Sequence, residues 1–159
     1  MALIDELINQ YVSTDLGDVF NLVGLTGVDP DNYQALQQAT LAQWLLESGR
    51  GTSKLAKEGN NFAGLKWRSP DMNGFATPLN IKVPSEPNFV EFCKFDGVEA
   101  FIVGYWKFLT RSPYKALADN TDSPAKFIGF LKSKGFAADP NYINKVLDLP
   151  LFYNFPRQK

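Results

Sequence analysis

Residues 32–47 read Asn-Tyr-Gln-Ala-Leu-Gln-Gln-Ala-Thr-Leu-Ala-Gln-Trp-Leu-Leu-Glu, a run of good helix formers without glycine or proline. Tyr33, Leu36, Thr40, Trp44 and Glu47 recur at spacings of three and four, which puts them in a row on one helical face. Leu41, Leu45 and Leu46 widen that stripe until the last turns are expected to be buried on most sides, and a helix of that kind needs neighbours to cover it. Asp31, after Pro30, is expected to cap its start, and Gly49 to stop its end.

The run ends on a carboxylate, Glu47, followed at once by Ser48-Gly49-Arg50-Gly51. A glutamate in the last turn, walled by Trp44 and neighbouring leucines, loses water around its charged form, and its pKa rises. The negative end of the helix dipole pushes the same way. Such a carboxylic acid keeps its proton near neutral pH and donates it to a leaving oxygen. The plainer alternative is a helix-terminal glutamate facing solvent or paired with Arg50 or Lys54, and the segment alone leaves both open.

What the chain lacks narrows its chemistry. It has no histidine and a single cysteine, Cys93, among 159 residues. Intramolecular disulfides, zinc sites of the Cys/His type and histidine-based triads are therefore excluded, and any proton transfer must rest on Asp, Glu, Tyr, Lys or water. No cofactor and no metal are expected. Sixteen basic side chains against seventeen acidic ones give a net charge of −1, which carries no nucleic-acid or membrane-surface footprint. The aromatic share of 14% suits a groove for sugars or peptides, although most of the 13 phenylalanines must fill the core. The amino terminus has acidic residues and no basic region before a long apolar core, unlike a signal peptide, and no stretch reaches transmembrane length.

Around the main helix, short amphipathic helices are expected over Leu3–Tyr11 and Asp15–Val23, the latter interrupted by Gly17, and a brief one over Lys54–Lys57 capped by Thr52 or Ser53. Leu79–Val83 and Phe89–Phe95 alternate with period two, as half-buried strands do, and Pro84-Ser85-Glu86-Pro87 between them demands a loop. Helical signals return over Gly97–Thr110, with Asp96 as a possible cap. They continue from Ser112-Pro113 to Ala118, from Ser123-Pro124 to Ser133, and after Asp139-Pro140 over Asn141–Leu147 with Pro150 soon after. The expectation is one α+β domain over residues 1–159, mainly helical with a small two- or three-stranded β lobe beside a groove.

Three stretches together resemble the glucosaminidase domain of glycoside hydrolase family 73, whose members have a lysozyme-like fold and cleave peptidoglycan. They are Ala42-Gln43-Trp44-Leu45-Leu46-Glu47-Ser48-Gly49-Arg50-Gly51-Thr52-Ser53-Lys54-Leu55-Ala56, then Asn60-Asn61-Phe62-Ala63-Gly64-Leu65-Lys66, and Gly135-Phe136-Ala137-Ala138-Asp139-Pro140-Asn141-Tyr142. The resemblance spans roughly Ala35 to Lys145. Arg50 stands where the family often has Trp, and Ala63 where it often has Phe.

The resemblance implies that Glu47 is the catalytic acid and that Tyr142 lines the active site and stabilises the reacting sugar. It also implies a second carboxylate in the β lobe. Glu86, in the proline-flanked loop, is the leading candidate and Glu91 the runner-up, also counted with the groove; Asp71 and Glu58 read as surface residues. The Asn60–Lys66 match implies a groove wall. There Asn61 can hydrogen-bond an acetamido group or hydroxyl, Phe62 or Trp67 can offer a flat face to a sugar, and Lys66 completes the substrate-binding set. The alternative is that Asn60 and Asn61 fix their own turn and Phe62 is core.

The implied activity is endo-acting β-1,4 N-acetylglucosaminidase hydrolysis of peptidoglycan strands. A muramidase or lytic transglycosylase on the same polymer, and a non-catalytic glycan-binding or structural module, remain as alternatives. The implied partner is the glycan strand, with no nucleic acid, no membrane insertion and a monomeric state. The implied place of action is the bacterial cell wall or periplasm. With no signal peptide in this chain, delivery would rest on phage lysis, a virion, a dedicated secretion machine or a larger parent protein.

Overall fold

A computed structural model describes residues 2–83 and 86–149. Its elements are helices α1 (Leu3–Val12), α2 (Leu16–Val23), α3 (Tyr33–Glu47) and α4 (Lys54–Gly59), strands β1 (Thr77–Lys82) and β2 (Phe89–Lys94), then helices α5 (Val98–Phe108), α6 (Pro124–Ser133) and α7 (Tyr142–Leu147). The fold is α+β, with helices around α3 and a hairpin to one side. Pro84, Ser85 and Pro150 lie outside the described residues.

α3 is the buried helix that its composition demands, with ten of its 15 residues buried. α6 and α7 pack against it, and α1 and α2 pack against α5. Aromatic rings fill the space between. Trp44 is fully enclosed, with Tyr11, Phe101 and Tyr105 at ring-centroid distances of 4.5, 4.9 and 5.0 Å. Of these, the Phe101 and Tyr105 contacts are edge-to-face, and aromatic pairs of that kind contribute about 0.5–1.5 kcal/mol each beyond their buried area. Gly104 on α5 admits a ring directly against its backbone. A Cβ there would lie 2.1 Å from Phe95, a contact no side chain could relieve.

Several chain ends follow the expected chemistry. Ser53 and Ser123 accept from the backbone N–H groups of Ala56 and Lys126, capping α4 and α6, and Asp15 accepts from Gly17 and Asp18 to cap α2. Gly17 therefore sits in the first turn of α2 and does not interrupt it. Other expectations are corrected. Asp31 does not cap α3: Asp29 accepts from the Asp31 N–H to hold a short 3-10 turn at Pro30–Asn32, and α3 begins at Tyr33 with Asn32 in the cap position making no side-chain cap bond. Gly97, not Asp96, occupies the cap position of α5. Ser112-Pro113 starts no helix; the chain turns there and forms a 3-10 turn only at Leu117–Asn120.

β1 and β2 form an antiparallel hairpin with Thr77 opposite Lys94 and Lys82 opposite Phe89. A third extended piece joins β2: Cys93 donates to the Leu65 carbonyl at 2.9 Å, Lys66 bridges Phe92, and Trp67 donates to the Glu91 carbonyl at 3.0 Å. This ladder attaches the Gly64–Trp67 segment to the β lobe, and the same segment runs past the end of α3.

Candidate active site

The turn after α3 is built to end a helix abruptly. Gly49, Arg50 and Gly51 all have positive φ, at 57°, 57° and 81°. A Cβ on Gly51 would come 3.1 Å from the Cβ of Ile4, so glycine also lets the turn press against α1. The Ser48 hydroxyl donates to the Trp44 carbonyl at 2.6 Å and accepts from the Gly51 N–H at 2.9 Å, tying the turn to the helix. Arg50 is exposed, and Lys54 pairs with Glu58 at 3.8 Å. Neither ion pair suggested for Glu47 is found among the described residues.

Glu47 itself keeps an open side toward solvent, while burial around its carboxyl raises its pKa. Both hold for a carboxyl with solvent on one side and protein on the other. A hydrogen bond from Tyr142 works against the shift by favouring the ionised form. Gly64 faces the carboxylate: a Cβ added there would stand 4.0 Å from Glu47 Oε2. Trp44 is enclosed in the aromatic core, so the neighbours identified at the carboxyl are Tyr142 and the Gly64 backbone.

Behind Glu47 lies a buried polar chain. The Tyr105 hydroxyl donates to Gln43 Oε1 at 2.5 Å, and Gln43 Nε2 donates to the Tyr142 hydroxyl oxygen at 2.9 Å. With that oxygen accepting from Gln43, the Tyr142 proton is directed to the carboxylate of Glu47. Gln43 has no exposure, and burial drives the pKa values of both tyrosines upward, with the Glu47 charge adding to the effect. Both tyrosines therefore stay protonated as donors. Three separate elements meet here: α3 supplies Gln43 and Glu47, α5 supplies Tyr105, and the first residue of α7 is Tyr142.

Gln43 and Tyr105 were not anticipated from the sequence. Gln43 stands four residues before Glu47 on the same helical face, a relation open to inspection; nothing local marks Tyr105.

The groove-wall residues divide. Asn61 is 1% exposed and fully used within its own turn: Nδ2 donates to the Leu65 and Cys93 carbonyls, both at 2.9 Å, and Oδ1 accepts from the Ala63 and Leu65 N–H groups. Phe62 is completely buried, packed on Phe101 at 5.1 Å. The expectation that these two meet a substrate is corrected: both lack the free surface, and they hold the loop that carries Gly64. Asn60 likewise donates to the Phe95 carbonyl at 3.0 Å. Lys66 is exposed, and Trp67 is half-buried against the core.

The two β-lobe carboxylates are both exposed. Glu91 faces Asn80 across the hairpin, two residues from Cys93. Glu86 lies beyond the last ladder pair, its backbone carbonyl held by the Lys82 ammonium. At about 3.3 Å per residue, Phe89 is already roughly 13 Å along the strand from Cys93, where the ladder meets Leu65, and Glu86 is further out. Asp71 pairs with Arg111 at 3.0 Å.

Comparison with known proteins places this geometry. The model of the glucosaminidase family, described as mannosyl-glycoprotein endo-beta-N-acetylglucosaminidase, matches residues 30–154. No curated relative matches the chain. Among solved structures, a peptidoglycan hydrolase from Sphingomonas sp. A1 is 26% identical with a TM-score of 0.56, over 74% of this chain and 79% of that one. The glycoside hydrolase domain of FlgJ from Salmonella typhimurium is 22% identical with a TM-score of 0.52, over 85% and 86%. The catalytic domain of the autolysin Auto from Listeria monocytogenes is 17% identical with a TM-score of 0.56, over 92% and 80%; these last two likenesses concern the fold. A match over most of the chain, including both the helix that ends in Glu47 and the helix that begins with Tyr142, shows that the chain belongs to the glucosaminidase family of glycoside hydrolases.

Proposed function

We propose that this protein hydrolyses β-1,4 bonds in peptidoglycan strands as an endo-N-acetylglucosaminidase, with Glu47 as the general acid. The observation that carries the reading is the meeting of elements at Glu47: the carboxyl ends α3 beside Gly64, Tyr142 of α7 is held by Gln43 one turn back on α3, and burial raises the carboxyl pKa. Family membership supplies the reaction class, and the Sphingomonas enzyme, a peptidoglycan hydrolase, supports the polymer.

In this reading Glu47 gives its proton to the glycosidic oxygen as the bond to the anomeric carbon breaks. Positive charge then develops on the sugar ring. Tyr142, oriented by Gln43, steadies the Glu47 carboxylate left after proton transfer and presents its oxygen toward the reacting sugar. Gly64 leaves the space beside the acid clear for the ring. A base must then activate water on the opposite face, or the substrate's acetamido oxygen must attack first and leave water to open the resulting ring. Glu86 is our choice for the second carboxylate, with Glu91 nearer along the strand as the alternative. The position of Glu86, exposed and beyond the last pair of the hairpin ladder, supports water activation or acetamido participation over direct attack by a closely spaced second carboxylate.

Residues 1–159 are read as one catalytic domain acting as a monomer at the bacterial cell wall, reached by lysis, a virion, a secretion machine or a parent protein. No helix among the described residues is long and apolar enough to cross a membrane. Mass analysis of peptidoglycan digests tests the activity: products ending in reducing N-acetylglucosamine are expected. Reducing or 1,6-anhydro N-acetylmuramic acid ends would assign a muramidase or a transglycosylase instead, and absence of any product would leave a binding module.

A further inference from the structure

Gly64, which faces the Glu47 carboxylate, also lines a recess of about 200 Å³ whose walls include Lys66, Arg68, Phe108, Tyr114 and Phe136. Two cations line it and no acid does. Lys66 and Arg68 are both exposed, and among the described residues neither has an ion-pair partner, whereas Arg111, stacked on Phe108 at 4.8 Å, is matched by Asp71. The positive field reaches the recess wall: Arg111 and Arg68 both favour the ionised form of the Tyr114 hydroxyl, and both act on buried Cys93 behind the wall. Burial outweighs them and holds the Cys93 thiol up at about 12, so the recess has no anion of its own to meet that field.

A neutral sugar polymer offers nothing to match two cations without acidic partners in the recess beside Gly64. Peptidoglycan is not neutral. Its N-acetylmuramic acid carries a lactyl group that ends either in a free carboxylate or in a peptide branch with carboxylates of its own. We propose that the Lys66–Arg68 recess is a carboxylate-binding subsite, which engages the anionic substituent of the strand and so distinguishes peptidoglycan from uncharged chitin-like glycans. This rests on the hydrolase reading for its polymer, and on the recess for its charge. The aromatic walls offer apolar contact to the adjoining ring, and the exposed cations attract the carboxylate from solvent, an effect that salt weakens.

The test uses Glu47→Gln protein, so that strands are bound and not consumed, and follows binding by calorimetry. Strands are offered peptide-bearing and peptide-free, each with native carboxylates and with carboxylates capped as methylamides. Capping is expected to weaken binding about tenfold, as two screened charge-assisted contacts should. Adding Lys66→Gln and Arg68→Gln should cost the same factor on native strands and bring the ratio of native to capped affinity close to one. A preference confined to peptide-free strands assigns the lactyl carboxylate, and one confined to peptide-bearing strands assigns the branch. Equal binding of native and capped strands overturns the subsite, as does a double variant weakened equally on both. Turnover by the unmodified protein separates the two readings. Equal cleavage of native and capped strands keeps the hydrolase and removes the subsite. No cleavage of either removes the hydrolase, and the binding ratio still decides the recess.

Discussion

The two carboxylates proposed for catalysis are held in opposite ways. Glu47 closes a 15-residue helix, is tied to Tyr142, and stands in front of a buried chain running back through Gln43 to Tyr105. Glu86 stands beyond the hairpin ladder, exposed, its neighbourhood marked by a backbone contact with Lys82. The first arrangement fixes a position and shifts the carboxyl toward its protonated form before any substrate arrives, which suits an acid that must donate at one atom. The second fixes neither. A carboxylate that has only to activate water, or to act after the strand has closed the groove, can be left on a solvated loop.

The largest effect that would break this contrast is at Glu47. Glu47→Gln should lower turnover by about 10³–10⁴-fold while leaving glycan binding intact, measured by product release and by binding to insoluble strands. Retained turnover would put the acid elsewhere. Tyr142→Phe comes next, with an expected loss of about tenfold to a hundredfold in kcat. It also carries a sign: the Tyr142 hydrogen bond favours the ionised carboxylate, so its removal raises the Glu47 pKa further. The alkaline limb of kcat/KM, where the acid loses its proton, should move to higher pH in a pH–rate profile.

Glu86→Gln should cost about tenfold in kcat and Glu91→Gln less, with both variants within about 0.5 kcal/mol of the parent in stability, as expected for exposed sites. The reverse order of kinetic effects would move the second role onto β2. The smallest effect concerns folding. A carboxyl whose pKa is higher folded than unfolded holds its proton more tightly in the folded state, so its ionisation destabilises the fold as pH rises from its ordinary range through the raised value. Glu47→Gln should therefore melt higher than the parent at neutral pH. The gap should close in acid, where Glu47 is protonated in both states.

Much of the acid's side of this contrast could be read directly. A 16-residue run without helix breakers, ended by Gly49 and Gly51, placed Glu47 at a helix end, and Ser53 and Ser123 announced the helices that follow them. These signals are local, set within a turn or two by capping and periodicity. Ser112-Pro113 carries the same kind of signal as Ser123-Pro124 yet yields a turn, because a cap and a proline permit a helix without supplying its buried face. Asn61 and Phe62 were ambiguous for a related reason. An asparagine and an aromatic in a loop serve a ligand or their own framework equally well, and only the carbonyls of Leu65 and Cys93 and the ring of Phe101 decide for the framework. Tyr105 reaches Gln43 across 62 residues of sequence, a pairing that packing creates and no local pattern encodes.

The central claim is physical: burial around the carboxyl at the end of α3 raises the Glu47 pKa above that of an ordinary glutamate. Titration of the Glu47 side-chain carboxyl carbon by NMR in the free protein measures this directly. A midpoint clearly above that of the same glutamate in the unfolded chain, coincident with the alkaline limb of kcat/KM, is the predicted result. A Glu47 midpoint at or below its value in the unfolded chain would contradict it.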